Sequence, residues 1–138
     1  MAVYTQLGAE ELEAIVTRFD VGTLVSAKGV AEGVSNSNWL IETRGAEGSG
    51  TRFILTMYEE RTDVSELPFF LGLLDHLSAA GCPVPRTIHD RDNRTFSEHG
   101  GKALALIEFL PGVSVTAPTP AQARAVGQAL AQVHQAAN

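Results

Sequence analysis

A single cysteine, Cys82, stands in this chain of 138 residues, so no internal disulfide can form, and a reducing compartment suits it. Basic residues are also scarce. Ten Lys and Arg against sixteen Asp and Glu leave a net charge of −6, which argues against nucleic acid as a partner, since that needs a basic face. A nucleotide cofactor stays open, because backbone dipoles and a metal ion can hold one. No run approaches the ~18 apolar residues of a membrane span. The opening MAVYTQLGAEELEAI lacks the basic and apolar regions of a signal peptide. Together these absences predict a soluble, cytoplasmic protein with neither nucleic acid nor membrane as partner. His76, His89, His99 and His134 show no metal-ligand spacing and read as solvated or helix-surface side chains, with no metal site. Cys82, just after the helix-ending Gly81, reads as a packed small side chain. The acidic pairs Glu10-Glu11 and Glu59-Glu60 read as solvated surface, and no Ser-His-Asp arrangement can be argued, so no catalytic residue is assigned.

What is present is ordinary globular composition, 44% hydrophobic and 19% charged, in a length that buries roughly 70% of its unfolded surface. Leu12, Ile15, Val16 and Phe19 recur at helical spacing, predicting a helix over 9–19 with Gly8 as N-cap. Residues 23–33, 38–44 and 51–59 read as three strands of an antiparallel meander. Val64, Leu67, Leu71, Leu74 and Leu77 predict a helix over 64–80, stopped by Gly81, Pro83 and Pro85. The segment RTIHDRDNRTFSEHGGKALALIEF then reads as strand, polar turn, strand, glycine turn, strand. After the loop LPGVSVTAPTP, Thr119 as N-cap, Pro120 and Gln122 open a final helix. Its stripe of Ala123, Val126, Leu130, Val133 and Ala137 expects a partner. The fold class is α+β: an antiparallel sheet of about five strands with one inserted helix, a leading helix and a final helix.

The most informative stretch is KGVAEGVSNSNWLIETRGAEGSGTRFILTMY, whose first turn is loaded with Gly, Ser and Asn. Small residues let bare backbone N–H groups approach a phosphate chain. Taken alone, the same turn suits an ordinary hairpin, the commoner use of such residues. It is not a Walker loop, since no Gly-Lys-Ser/Thr follows.

This element order, with KGVAEGVSNSNWLIET, FILTMYEER, LPFFLGLLDHLSAAGCPVPRTI and IEFLPGVSV, resembles the kinase-like aminoglycoside and choline phosphotransferases, and within them the bacterial homoserine kinases. The resemblance covers the whole chain but only the first part of the family's length. It implies a kinase-like N-lobe over 1–112, then a linker and the first helix of an absent C-lobe over 113–138. Gly33, Ser35, Asn36, Ser37 and Asn38 would form the phosphate lid, and Glu108, Phe109 and Leu110 the adenine hinge. Thr56 falls where related kinases carry the strand-three lysine, and Phe70 where its glutamate partner would sit. Lys28, Arg52 and Arg61 are the candidate substitutes for that cation.

The implied activity is ATP-dependent phosphorylation of the L-homoserine hydroxyl in threonine biosynthesis, with ATP and Mg²⁺. Neither the His-Gly-Asp catalytic loop nor the metal-binding Asp of the family is in the sequence, so an inactive fragment is expected. A missing C-lobe or another chain would cover the last helix. The alternatives are a related phosphotransferase for an aminoglycoside, choline or another amino alcohol, and a non-catalytic nucleotide- or partner-binding module.

Overall fold

The computed structural model describes residues 6–31, 36–45, 50–59 and 63–138. Its elements in chain order are α1 (Ala9–Val16), β1 (Thr23–Val30), β2 (Asn36–Arg44), β3 (Gly50–Tyr58), α2 (Leu67–Ala79, led in by a 3₁₀ turn at Val64–Glu66), β4 (Thr87–Ile88), β5 (Ser97–His99), β6 (Lys102–Glu108) and α3 (Pro120–Ala137). The sheet order is β1-β2-β3-β6-β4, with β5 also pairing β6, and each of these pairings is antiparallel. The fold is α+β as expected. Among the described residues the sheet has six strands, in keeping with about five, since β4 and β5 are only two and three residues long. At the β5–β6 turn, Gly100 and Gly101 both take positive φ, 59° and 80°, which fits a two-residue hairpin.

Period-two alternation divides the sheet into two faces. On one, Trp39, Ile41, Leu55, Met57, Leu104 and Leu106 pack against Leu12, Ile15 and Val16 of α1 and against Phe19 just past it, the helix ending at Val16 rather than at residue 19. On the other, Ala103 and Ala105 meet Leu67 and Leu71 of α2, with Tyr58, Leu74 and Phe96 at the margin. Arg18, just past α1, donates to Ser97 Oγ (3.2 Å) and Glu98 C=O (3.0 Å), docking the helix onto the β5 hairpin. Arg91 donates from Nε to Thr17 C=O at 2.9 Å, and its main-chain N–H reaches Arg18 C=O at 2.8 Å. These bonds satisfy carbonyls that the end of a helix leaves open.

Between α1 and β1 the chain turns at Gly22, whose φ is +95°. A Cβ there would stand 2.5 Å from the Arg44 carbonyl oxygen, so only glycine fits. The same corner is tied from the sheet side, where buried Thr43 donates its hydroxyl to Val21 C=O at 2.7 Å.

The last helix opens on the expected capping box. Thr119 Oγ1 accepts from Gln122 N–H (3.2 Å) and Gln122 Oε1 from Thr119 N–H (2.8 Å). Of its expected stripe only Val133 is half-buried, together with Ala129 and Ala136 beside it. There His76 of α2 bonds Ala136 C=O at 2.8 Å and Cys82 Sγ donates to Gln132 C=O at 3.6 Å. Val126 and Leu130 stand exposed, as do Phe69 and Phe70 on α2, which meet edge to face at 5.4 Å. Among the described residues no helix is long and apolar enough to cross a membrane.

Candidate functional site

Cross-strand register brings two of the sequence-predicted residues, Asn38 and Thr56, to one face of the sheet. Asn38 lies opposite both Val30 and Thr56, and Thr56 opposite Ala105. The neighbouring row on that face is Lys28, Leu40, Ile54 and Ile107. Leu40, Ile54 and Ile107 are half-buried, a partly open apolar strip beside a polar pair. Such a face can take a flat apolar ring on the strip and a hydrogen-bonding group at the Asn38–Thr56 end.

Asn36, Ser37 and Asn38 begin β2, so the strand starts two residues earlier than the sequence pattern predicts. Gly33 and Ser35 lie outside the described residues, as does Arg61. Ser37 is buried on the α1 face and donates to Glu59 Oε1 at 2.6 Å. Glu59 in turn holds Lys102 Nζ at 2.5 Å. This corrects the reading of Glu59 as solvated surface: its side chain is 11% exposed, because strands from elsewhere in the sequence surround it. Lys102 escaped notice because nothing near it in sequence signals a partner. Glu60 lies outside the described residues.

Thr56 is 7% exposed and donates its hydroxyl to Asn38 Oδ1 at 2.7 Å. The position is thus occupied by a neutral, hydrogen-bonded pair. Lys28 is exposed, one row away. Arg52 lies four residues along the strand from Thr56, roughly 13 Å at ~3.3 Å per residue. Its Nε sits 3.8 Å from Glu42, and its guanidinium lies 6.0 Å from the Phe109 ring centroid.

At the end of β6, Glu108 N–H donates to Arg86 C=O at 3.0 Å, and its carboxylate faces Arg86 Nε at 3.7 Å. Phe109 is half-buried and Leu110 exposed, beside an open cleft of about 580 Å³ that Glu42, Arg52, Arg86 and Pro111 also line. Glu108 and Phe109 therefore line a cavity on the sheet's margin, at the opposite end of the strand from Lys102, and Leu110 is not part of its lining.

A second polar cluster was not legible in the sequence. Asp75 Oδ1 accepts from Thr87 N–H (2.8 Å) and Thr87 Oγ1 (2.6 Å), and Asp75 Oδ2 bonds His89 Nε2 at 2.6 Å. His89 Nδ1 faces Asn93 Oδ1 at 3.0 Å. The bond to Asp75 raises the His89 pKa above its ordinary value. Burial pushes Asp75 upwards, but the bonds from Thr87 and His89 outweigh it and hold the carboxyl below its usual range. The cluster fastens α2 to β4. Burial also raises the Tyr58 hydroxyl, on the same face as Thr56. Among the described residues no group of three His, Cys, Asp or Glu could hold a metal ion.

Residues 26–138 match the phosphotransferase enzyme family. Homoserine kinases of Azorhizobium caulinodans and Xanthobacter autotrophicus are 47% and 46% identical over 136 residues, 99% of this chain and 41% of each relative. The Brucella anthropi homoserine kinase is 46% identical, with 40% of its length covered. The chain thus spans about two fifths of the curated relatives it matches. Among solved structures, an aminoglycoside phosphotransferase from Alicyclobacillus acidocaldarius superposes with a TM-score of 0.66 at 18% identity, covering 96% of this chain and 36% of that one. A spectinomycin phosphotransferase, solved with ADP and spectinomycin, gives 0.68 at 13% identity, covering 96% and 39%. At such identities the likeness concerns the fold alone.

Proposed function

The chain belongs to the phosphotransferase enzyme family, and from that premise we propose that it is the nucleotide-holding lobe of a homoserine kinase. The reaction is transfer of the ATP γ-phosphoryl group to the hydroxyl of L-homoserine, giving O-phospho-L-homoserine in threonine biosynthesis. The observation that carries this reading is 46–47% identity to homoserine kinases sustained across 99% of the chain. In this reading 1–112 form the lobe, and 113–138 form a linker and the first helix of a second lobe.

The adenine ring lies on Leu40, Ile54 and Ile107, with its edge at the backbone of Glu108, Phe109 and Leu110. The phosphates run towards Asn38 and Thr56, under the lid that Gly33, Ser35, Asn36 and Ser37 contribute. A kinase of this kind uses Mg²⁺ to neutralise developing phosphate charge. The described residues offer no ligand set for it, so we place its ligands and the base for the acceptor hydroxyl outside them.

Calorimetric titration of the 138-residue chain with an ATP analogue tests the lobe, and a homoserine phosphorylation assay tests the division of labour. We expect nucleotide binding without turnover by the chain alone. Turnover is expected when it is fused to the remaining three fifths of a homoserine kinase. Normal turnover by the chain alone, or a fusion that is inactive although it binds ATP, refutes the reading. A second reading, a partner-binding module, is favoured by the exposure of Phe69 and Val126, each 68%. Loss of nucleotide binding together with a monodisperse hetero-complex in size-exclusion chromatography supports that alternative.

A further inference from the structure

We infer that the side-chain amide of Asn38 is a direct phosphate donor, taking by a neutral hydrogen bond the place of a strand-three cation. This inference rests on the nucleotide-lobe reading above. Thr56 and Asn38 face one another across β2 and β3, and the Thr56 hydroxyl donates to Asn38 Oδ1 at 2.7 Å. An amide has one acceptor end and one donor end. Occupying the oxygen therefore fixes the rotamer and turns Nδ2 away from Thr56. Among the described residues no acceptor takes the Nδ2 hydrogens, and Asn38 is half-buried on the α2 side of the sheet, next to the partly exposed Leu40. A donor held in one orientation beside an apolar strip suits an anionic oxygen of a nucleoside diphosphate or triphosphate.

The surrounding charges support this assignment. Arg52 is engaged by Glu42 and Phe109 at the far end of the strand. Lys28 belongs to the neighbouring row, opposite Leu40. Lys102 sits on the other face, held by Glu59. Thr56 is itself buried against Ala105, where a lysine without an acidic partner would be an unpaired interior charge. The amide thus supplies directionality without that cost.

Isothermal titrations of the chain with ADP and with adenosine separate the possibilities, using Asn38→Asp, Asn38→Leu and Thr56→Val. Asn38→Asp keeps the shape and still accepts from Thr56, so it retains the fold while presenting a negative charge to the phosphate. We expect it to weaken ADP by roughly a hundredfold and adenosine by less than about twofold. Asn38→Leu should weaken ADP about tenfold or more, and Thr56→Val less, because it only frees the amide to rotate. ADP affinity of Asn38→Asp within about twofold of the parent, or equal losses for ADP and adenosine, overturns the inference while leaving the lobe reading intact. Failure of the parent to bind either ligand refutes the lobe reading, and this inference with it.

Discussion

Replacing Asp75 by Ala tests whether α2 is held to β4 by one carboxylate. Thr87 is 2% exposed, and its N–H and hydroxyl both end on Asp75 Oδ1, so the substitution strands two donors. A buried donor left without a partner costs about 1–3 kcal/mol. The hydroxyl can rotate and water can reach the vacated site, so we expect a loss of about 2–4 kcal/mol for the pair. The ion pair with His89 adds only about 0–1 kcal/mol, because the imidazole side chain is 39% exposed. Urea unfolding followed by the fluorescence of Trp39, the single tryptophan and 4% exposed, reads the difference. Adding Thr87→Val to Asp75→Ala should cost little more, since both remove one shared bond set. A loss below about 1 kcal/mol, or full additivity, would refute the clamp.

The same cluster has a pH signature. Both ring nitrogens of His89 face oxygens, Asp75 Oδ2 and Asn93 Oδ1, and only the imidazolium can donate to both. The folded-state pKa of His89 is raised, so its contribution is full below the unfolded value near 6.5 and fades as pH rises through the folded value. The folded-state pKa of Asp75 is lowered, so its contribution is present above the unfolded value near 3.8 and is lost as pH falls through the folded value. Stability from the pair is therefore greatest between those two unfolded values. A decline above the upper one should vanish in His89→Ala.

Two further substitutions probe the frame. Gly22→Ala forces a side chain into positive φ and against the Arg44 carbonyl, for a loss of at least about 1–3 kcal/mol in the same urea assay. An unchanged midpoint would mean that the turn can relax away from β2. Leu55→Ala, at a fully buried position between β2 and β6, should cost about 2–5 kcal/mol by differential scanning calorimetry. A loss typical of surface sites would mean that the sheet core is not where the alternation of β3 puts it.

Local patterns in the sequence carry most of this architecture. Leu12, Ile15, Val16 and Phe19 announce α1, and the Thr119–Gln122 capping box marks the start of α3 at the residue where the helix begins. The β-branched and aromatic runs place β2 and β3 to within two residues. What depends on distant partners is hidden. Asp75 and His89 each look like ordinary surface residues until the chain folds a helix against an edge strand. Glu59 follows the same logic, since Ser37 and Lys102 come from two other strands. For the candidate site, Thr56 and Asn38 could be nominated singly from resemblance, but their bond follows from a register that only the paired strands define.

The docking of α1 also has a consequence in time. Arg18 closes onto residues 79 to 81 positions further along, and the apolar side of α1 packs on Leu104 and Leu106. Synthesis at about 5–20 residues per second puts roughly 4–16 s between Arg18 and Ser97. Throughout that interval Leu12, Ile15, Val16 and Phe19 have at most the cover that β2 and β3 bring, and lack Leu104 and Leu106. The β5–β6 hairpin is thus the last-made part of that cover, and the packing of the first helix is completed only after it. Slowing translation between β3 and β6 would lengthen the exposure of that helix to holdase chaperones.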